Sequence, residues 1–343
     1  MDLARVFLRR PLRRTITRLV AGAVLGVALL PAISSASSNV RVIRTLHVAQ
    51  GPLAVTADGH HVWVATIGSG FGYGVTEIDA RSGRIVRATS VGLGPLGIDS
   101  DGRYAWVTSI GGYVSGIDVH SGHITRSFYT GVPAVQVASD GTHLWVTHGV
   151  PGSGPRGITE LDIATGQFVR NVRTGPSAYV ITADKRHVWV ANVGAGPVAG
   201  HSVTEIDERT GKVVRTIGVG LFPIAITSDG RRVYVATAQG LVTAINATNG
   251  HRLYTTEVAP GLSGIASDGA HVWVTDGAFG RVAELSAGNG RIVATVAVGA
   301  GPTGIAADGA HVWVANTGAT GPGDTVTELG VRGGRLAYRY GGT

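Results

Sequence analysis

A chain of 343 residues with 53 glycines, 15% charged residues and no cysteine excludes disulfide scaffolds, thiolate metal sites, thiol nucleophiles and lipid-modified cysteine anchors. Single cores stop growing near about 250 to 300 residues, so a chain of this length holds several domains or a set of repeats. The net charge of +7 suggests nucleic acid only until it is located: the first 36 residues carry six of the 29 basic residues and one of the 22 acidic ones, which leaves the remainder near +2.

In chain order the first segment is a targeting signal. Arg5, Arg9, Arg10, Arg13, Arg14 and Arg18 precede an apolar run from Leu19 to Leu30 that ends at Pro31. Ser34 and Ala36 supply small residues for cleavage after Ala36, and the run is too short to favour a membrane span. An uncleaved anchor is the alternative. The stretch Arg13-Arg14-Thr15-Ile16-Thr17-Arg18 is similar to a twin-arginine export signal, and the ordinary secretory route is the other reading. Either way the mature chain, residues 37 to 343, is expected outside the cytoplasm, secreted, periplasmic or at the cell surface.

Beyond the signal the sequence repeats. Asp-Gly or a close variant, followed five residues after the Asp by an aromatic between apolar residues, occurs as Asp58 with Trp63, Asp101 with Trp106, Asp140 with Trp145, Asp184 with Trp189, Asp229 with Tyr234, Asp268 with Trp273 and Asp308 with Trp313. Steps run from 39 to 45 residues, with repeats starting near 51, 94, 132, 176, 221, 260 and 301. Each unit reads as four short strands, typified by Leu53 to Ala57, the Trp strand, Val75 to Asp79 and Val213 to Ile217. Four antiparallel strands per repeat is a propeller blade, so the expectation is an all-β, seven-bladed β-propeller. The aspartates form the turns, and the aromatics are expected to wedge between blades.

Residues 41 to 48 reproduce the fourth-strand pattern of residues 212 to 219. The connector from Val48 to Pro52 equals those before Pro95, Pro223 and Pro302, so this strand is expected to occupy the fourth place of the last blade and latch the ring. Arg335 to Tyr340 competes for that place; the N-terminal strand is favoured, with the tail displaced outward.

The segments Val188-Trp189-Val190-Ala191-Asn192, Val312-Trp313-Val314-Ala315-Asn316 and Val233-Tyr234-Val235-Ala236-Thr237 resemble the motif of YVTN (YncE-like) propellers over about residues 41 to 343. The resemblance implies a seven-bladed ring and an extracytoplasmic setting. It leaves function open: similar propellers include nucleic-acid binders and cell-surface modules, and related streptogramin B lyase and lactonase propellers are metal-dependent enzymes. No stretch here matches an enzyme motif residue by residue.

The loops after strand two are long in repeats one, three, four and seven (67 to 74, 149 to 157, 193 to 202, 317 to 325) and short elsewhere, whereas the turns on the opposite face barely change. Variable loops on a rigid scaffold are where binding resides; flexible spacers are the plainer reading. Three residues after each strand-two aromatic stand Thr66, Ser109, His148, Asn192, Thr237, Asp276 and Asn316. They either cap their strand ends or form a polar rim at the channel mouth that binds a ligand. Between the Gly-Pro starts and Asp-Gly ends of the inner strands the one carboxylate is Asp99, too few oxygens for a deep calcium site. His61, His143, His187, His271 and His311 are expected to bond their own turns. Glu77, Glu160 and Glu205 each pair with an Arg ten residues on, while Glu284 and Glu328 lack one.

The leading expectation is a non-catalytic, monomeric binding module that holds a protein, glycan or small ligand on the loop face, with no cofactor. The rival is a metal-dependent lyase or lactonase using Ca²⁺ or Mg²⁺ at the rim, with His148 as base and Asp276, Asn192 and Asn316 as ligands. Single-stranded nucleic-acid binding rests on family analogy and has little electrostatic support.

Overall fold

The computed structural model describes residues 40–68, 73–148, 157–195, 198–318 and 323–331. The chain divides into two units, Met1–Ser38 and Asn39–Thr343; the expected signal at 1 to 36 and the tail strand at 335 to 340 lie outside the described residues. Among those described there is no helix, hence none long and apolar enough to cross a membrane.

The chain opens with β1 (Val40–His47), then forms blade one from β2 (Pro52–Ala57), β3 (His61–Ile67), β4 (Tyr73–Asp79) and β5 (Ile85–Ser90). Blade two is β6 (Pro95–Ser100), β7 (Tyr104–Ser109), β8 (Tyr113–Asp118) and β9 (Ile124–Tyr129). Blade three is β10 (Val137–Ser139), β11 (His143–Thr147), β12 (Ile158–Asp162) and β13 (Phe168–Val172); blade four is β14 (Ala178–Asp184), β15 (His187–Ala195), β16 (Val198–Asp207) and β17 (Val213–Gly218). Blade five is β18 (Pro223–Ser228), β19 (Arg232–Thr237), β20 (Leu241–Asn246) and β21 (Arg252–Glu257); blade six is β22 (Leu262–Ser267), β23 (His271–Asp276), β24 (Arg281–Ser286) and β25 (Ile292–Ala297). Blade seven has three strands in sequence, β26 (Pro302–Ala307), β27 (His311–Asn316) and β28 (Thr325–Val331). Its fourth is β1, antiparallel to β28 from Val40↔Val331 to His47↔Thr325. The ring therefore closes through its N-terminal strand, as the connector lengths require.

One expected loop is a strand. In blade four the β15–β16 hairpin runs on past Asn192, with Gly194↔Ala199 and Ala195↔Val198 paired beyond a bulge. Gly194 takes φ +87°, which glycine accepts without a side-chain clash, so much of 193 to 202 extends the sheet.

The apolar core is seven separate layers, each between neighbouring blades. Trp63 packs on Ile98, Ala105 and Val107 of blade two, Trp145 on Val188 and Val190 of blade four, and Trp313 on Val62 and Val64 of blade one. The seven aromatics are fully buried. Most are also tied to their turns: Nε1 of Trp106, Trp145 and Trp189 donates to the Oδ2 of Asp101, Asp140 and Asp184 at 2.7, 2.9 and 3.4 Å, and the Tyr234 hydroxyl donates to Asp229 at 3.0 Å.

A polar chain crosses the outer half of the blades. In blade one the His61 ring lies 3.4 Å from Asp58 and 4.0 Å from Glu77, and Glu77 receives Arg87 Nε at 2.7 Å. Blades three and four repeat it through Glu160 with Arg170 at 2.6 Å and Glu205 with Arg215 at 2.8 Å. Glu328 does not lack its cation: Arg44 of β1 supplies it at 2.6 Å. Sequence order hid this pair because the two residues sit at opposite ends of the chain. Glu284 pairs across the strand with Ala294 and keeps only His271, at 3.5 Å. The same arginines reach the next blade: Arg87 Nη2 donates to His120 O at 3.5 Å and Arg215 Nη2 to Thr248 O at 3.4 Å, while Arg44 and Arg170 bond the Ser82 and Thr210 carbonyls.

Burial holds the Glu328 carboxyl above the usual range, and Arg44 acts against that shift. Arg44→Ala is therefore expected to cost about 2 kcal/mol of stability at pH 8 and progressively less as pH falls, because protonation of the Glu328 carboxyl removes the charge that Arg44 neutralises. Arg126→Ala, whose cross-strand neighbour is Gly116, should cost less at pH 8, as read by thermal melts.

Candidate functional site

Antiparallel order sends the loops before strand one and after strand two to one end of every blade, and the Asp-Gly turns to the other. The seven polar residues that end strand two all lie at the loop end, and all are buried. Their side chains bond their own blades. The Thr66 hydroxyl donates to Gly74 O at 3.1 Å, Ser109 to Tyr113 O at 3.4 Å and Thr237 to Leu241 O at 3.4 Å. Asn192 Nδ2 donates to Ser202 Oγ and Thr204 Oγ1 at 3.2 and 3.0 Å, and Asn316 Nδ2 to Thr325 Oγ1 and Thr327 Oγ1 at 3.1 and 2.9 Å. Asp276 accepts from Phe279 N at 3.2 Å and from Arg281 Nε at 2.8 Å. The His148 ring donates from Nδ1 to Pro133 O at 3.1 Å, with Nε2 2.7 Å from Thr159 Oγ1. Each group fastens strand two to strand three or to the inner connector. His148, Asn192, Asp276 and Asn316 sit in four different blades, and none of them lines the channel cavity.

The channel is a cavity of about 570 Å³ walled by the inner strands of all seven blades. Three residues before each turn Asp its wall carries Val55, Ile98, Val137, Ile181, Ile226, Ile265 and Ile305. Neighbouring blades are stitched along this wall by hydroxyls: Thr108 donates to Val135 O at 2.8 Å, Thr147 to Tyr179 O at 2.9 Å and Thr303 to Leu53 O at 3.0 Å. Asp99 is the one carboxylate of the wall, as the sequence indicates, and no Lys, Arg or His lines it among the described residues. Its Oδ2 accepts from Ser139 N at 2.8 Å, and burial pushes the carboxyl up to about 7. Tyr179 also lines the cavity and is 41% exposed; the repeat pattern gave no reason to single it out.

The mouth carries backbone strain in two adjacent blades. The residue whose carbonyl accepts from the end of strand two is left-handed Gly51, Gly94, Gly261 and Gly301 in four repeats, but Ser177 (φ 52°) and Phe222 (φ 54°) in blades four and five. A side chain in that conformation costs about 1 to 2 kcal/mol.

One group of potential metal ligands occurs among the described residues, on the turn face: atoms of Asp140, His143 and Glu208 lie within 4.8 Å of one another. Glu208 stands where the corresponding residues Ala80, Val119, Ile163, Ala247 and Ala287 are apolar and buried. Burial and the neighbouring Asp140 carboxylate raise its pKa. Asp140 already serves its turn, with Oδ1 accepting from Thr142 N and His143 N at 2.8 Å each and Oδ2 from the Trp145 indole.

Together these features define a closed seven-bladed β-propeller whose repeated polar groups are spent inside the blades and whose channel is apolar apart from one acid. The chain belongs to the family described as outer membrane protein assembly factor BamB, whose model matches residues 38–296 and again 199–340. No curated protein matches it. Similar solved structures include Kuenenia stuttgartiensis hydrazine synthase, 20% identical over 78% of this chain and 93% of that one with a TM-score of 0.65. The β-propeller domain of Myceliophteria thermophila Cps50 (Swd1) is 12% identical over 85% of this chain and 99% of its own, with a TM-score of 0.68. At these identities the likeness establishes the fold alone.

Two titrations test the site. Burial lowers the His148 pKa, so the unfolded chain binds more protons just below pH 6.5 and His148 withdraws stability as pH falls. His148→Gln should narrow the gap between melting temperatures at pH 8 and pH 5. Asp99 is the opposite case: its raised pKa means the folded state holds the extra proton between about pH 4 and 7. Asp99→Asn should thus gain on the wild type as pH rises from 4 to 8, and parallel melting curves would count against a carboxyl enclosed by the channel.

Proposed function

We propose that the protein is an exported, non-catalytic scaffold that holds a partner protein on its loop face. The observation that carries this reading is the contrast between the two ends of the ring. At the turn end each blade repeats the same Asp-centred hydrogen bonds, and Glu208 beside Asp140 and His143 is a single departure from a uniform surface. At the loop end four of the seven connections after strand two are long and different, and large side chains stand in solvent between them.

Those side chains have the composition of a protein-binding surface. Phe279 is 66% exposed with the Arg281 guanidinium 4.9 Å over its ring. Tyr113 and Tyr129 stand exposed with ring centroids 5.0 Å apart, and Leu93 projects from the connector into blade two. Exposed aromatics backed by arginine are enriched where proteins meet. The family description, an outer membrane protein assembly factor, supports a role in protein association outside the cytoplasm. So does the sequence start, with its arginines, apolar run and small residues at 34 and 36. The resemblance of the Trp-Val-Ala-Asn segments to YVTN propellers agrees with the same setting.

Cross-linking the exported full-length chain in its native compartment tests the reading. Cross-links should concentrate at the loop end. Shortening 149–156 and 319–322 to turns like Ala238–Gly240, or replacing Phe279 and Tyr113 by Ser, should remove most of them while the melting temperature stays within a few degrees. Cross-links gathered at the Asp-Gly turns, or indifferent to these changes, would refute it.

A further inference from the structure

The channel wall holds one carboxylate that meets no cation among the described residues. Among the described residues the other buried carboxylates face a cation or cap a turn: the strand-three glutamates face arginine or histidine, Asp276 faces Arg281, and the turn aspartates cap their own hairpins. Asp99 does neither. It lies two residues before the turn, where the other six repeats carry Thr56, Ala138, Thr182, Thr227, Ala266 and Ala306, so the ring forms at that level with no charge at all.

Its surroundings supply no cation. Asp99 pairs across the strand with Trp106, its carboxylate accepts backbone hydrogen bonds from Ser139 N at 2.8 Å and from Ser100, and the charged group acting on it is another acid, Asp101 in the adjoining turn. A carboxylate held at an apolar wall by backbone N–H groups alone, with no counter-charge, is costly, and a cation entering the channel lowers that cost. A metal ion is poorly served, because one carboxylate leaves most of its coordination sites empty. An ammonium group needs far fewer contacts.

The wall above Asp99 describes the rest of such a ligand. Next comes the level of seven β-branched side chains that includes Ile98 and Ile181, and two residues further toward the mouth stands Tyr179, five residues before its turn Asp as Leu96 is in blade two. Three residues of strand span about 10 Å. Tyr179 adds an aromatic ring to the wall, and the face of such a ring attracts apolar and cationic groups alike.

We propose that the channel binds a small organic cation, a primary amine with an apolar or aromatic body, its ammonium on the Asp99 carboxylate and its body against the isoleucine level toward Tyr179. This site is separate from the loop-face surface and stands or falls independently of it.

Calorimetric titration of the full-length protein with 4-phenylbutylamine and with 4-phenylbutan-1-ol at pH 8 tests the proposal. The amine should bind at least tenfold more tightly than the alcohol. Asp99→Asn should bring the amine down to the alcohol's level, and Tyr179→Ala should weaken both. Should Asp99→Asn fail to fold, the wild type still decides: acidification from pH 8 to 5.5 should weaken the amine severalfold and leave the alcohol unchanged. Equal affinity for the two probes, no binding of either, or an amine affinity indifferent to both Asp99→Asn and pH overturns it.

Discussion

A four-stranded blade has two apolar faces and can bury neither by itself. That constraint governs the whole molecule. Trp63, Trp106, Trp145, Trp189, Tyr234, Trp273 and Trp313 each fill the gap to the next blade, so stability is a sum of seven neighbour terms and fails where any neighbour is missing. Only a closed ring gives every face a partner. Closure in turn depends on β1, the single element that reaches its blade from the other end of the chain, and the Arg44–Glu328 pair ties it there with the same chemistry that holds strands three and four together elsewhere.

The polar chains answer a second consequence of the same geometry. Between wide sheets the outer strands diverge, and the space there is bridged by long side chains rather than filled by apolar ones. Each arginine neutralises a buried glutamate of its own blade and caps a carbonyl of the next, lying over a turn glycine such as Gly83, Gly122 or Gly211 whose added Cβ would strike it. Tyr254 does this work between blades five and six, with its hydroxyl 3.2 Å from Ala287 O. Blade six has Ala294 in that place, and its seam with blade seven is held by apolar packing that brings Val296 together with Val40 and by the Ser263 and Thr275 hydroxyls, which bond Pro302 O at 2.6 Å and Thr303 O at 3.1 Å.

What was legible in the sequence is what repeats. The aromatic period gave the blade count, the connector lengths gave the closing strand, and Glu77 with Arg87 could be paired because a hairpin fixes their register. Pairing Glu328 required placing Arg44 in the ring first. The strand-end residues show the opposite limit. Their polarity was visible, but not their direction, which is set by what stands beside them: Asn192 turns inward because Ser202 and Thr204 offer acceptors on the adjacent strand, and Asp276 because Arg281 does. Glycine content read as loop in blade four is a lengthened hairpin, since Gly194 supplies the bulge that lets the pairing continue. Tyr179 and Glu208 leave no mark in the sequence pattern because neither disturbs the period.

In a ring of near-equal repeats, a residue shared by all seven positions is explained by the fold, so specific chemistry must come from the departures. Departures that relax the structure carry little information; those that work against it carry more. Ser177 and Phe222 hold a conformation that glycine adopts freely in four sister repeats, and Asp99 places a carboxyl where threonine or alanine closes the wall at no electrostatic cost. Phe222 and Ser177 stand at the entrance to the channel, Asp99 and Tyr179 along its wall. The propeller's unfavourable choices thus converge on its axis, in the one space to which every blade contributes and which packing alone would leave chemically plain.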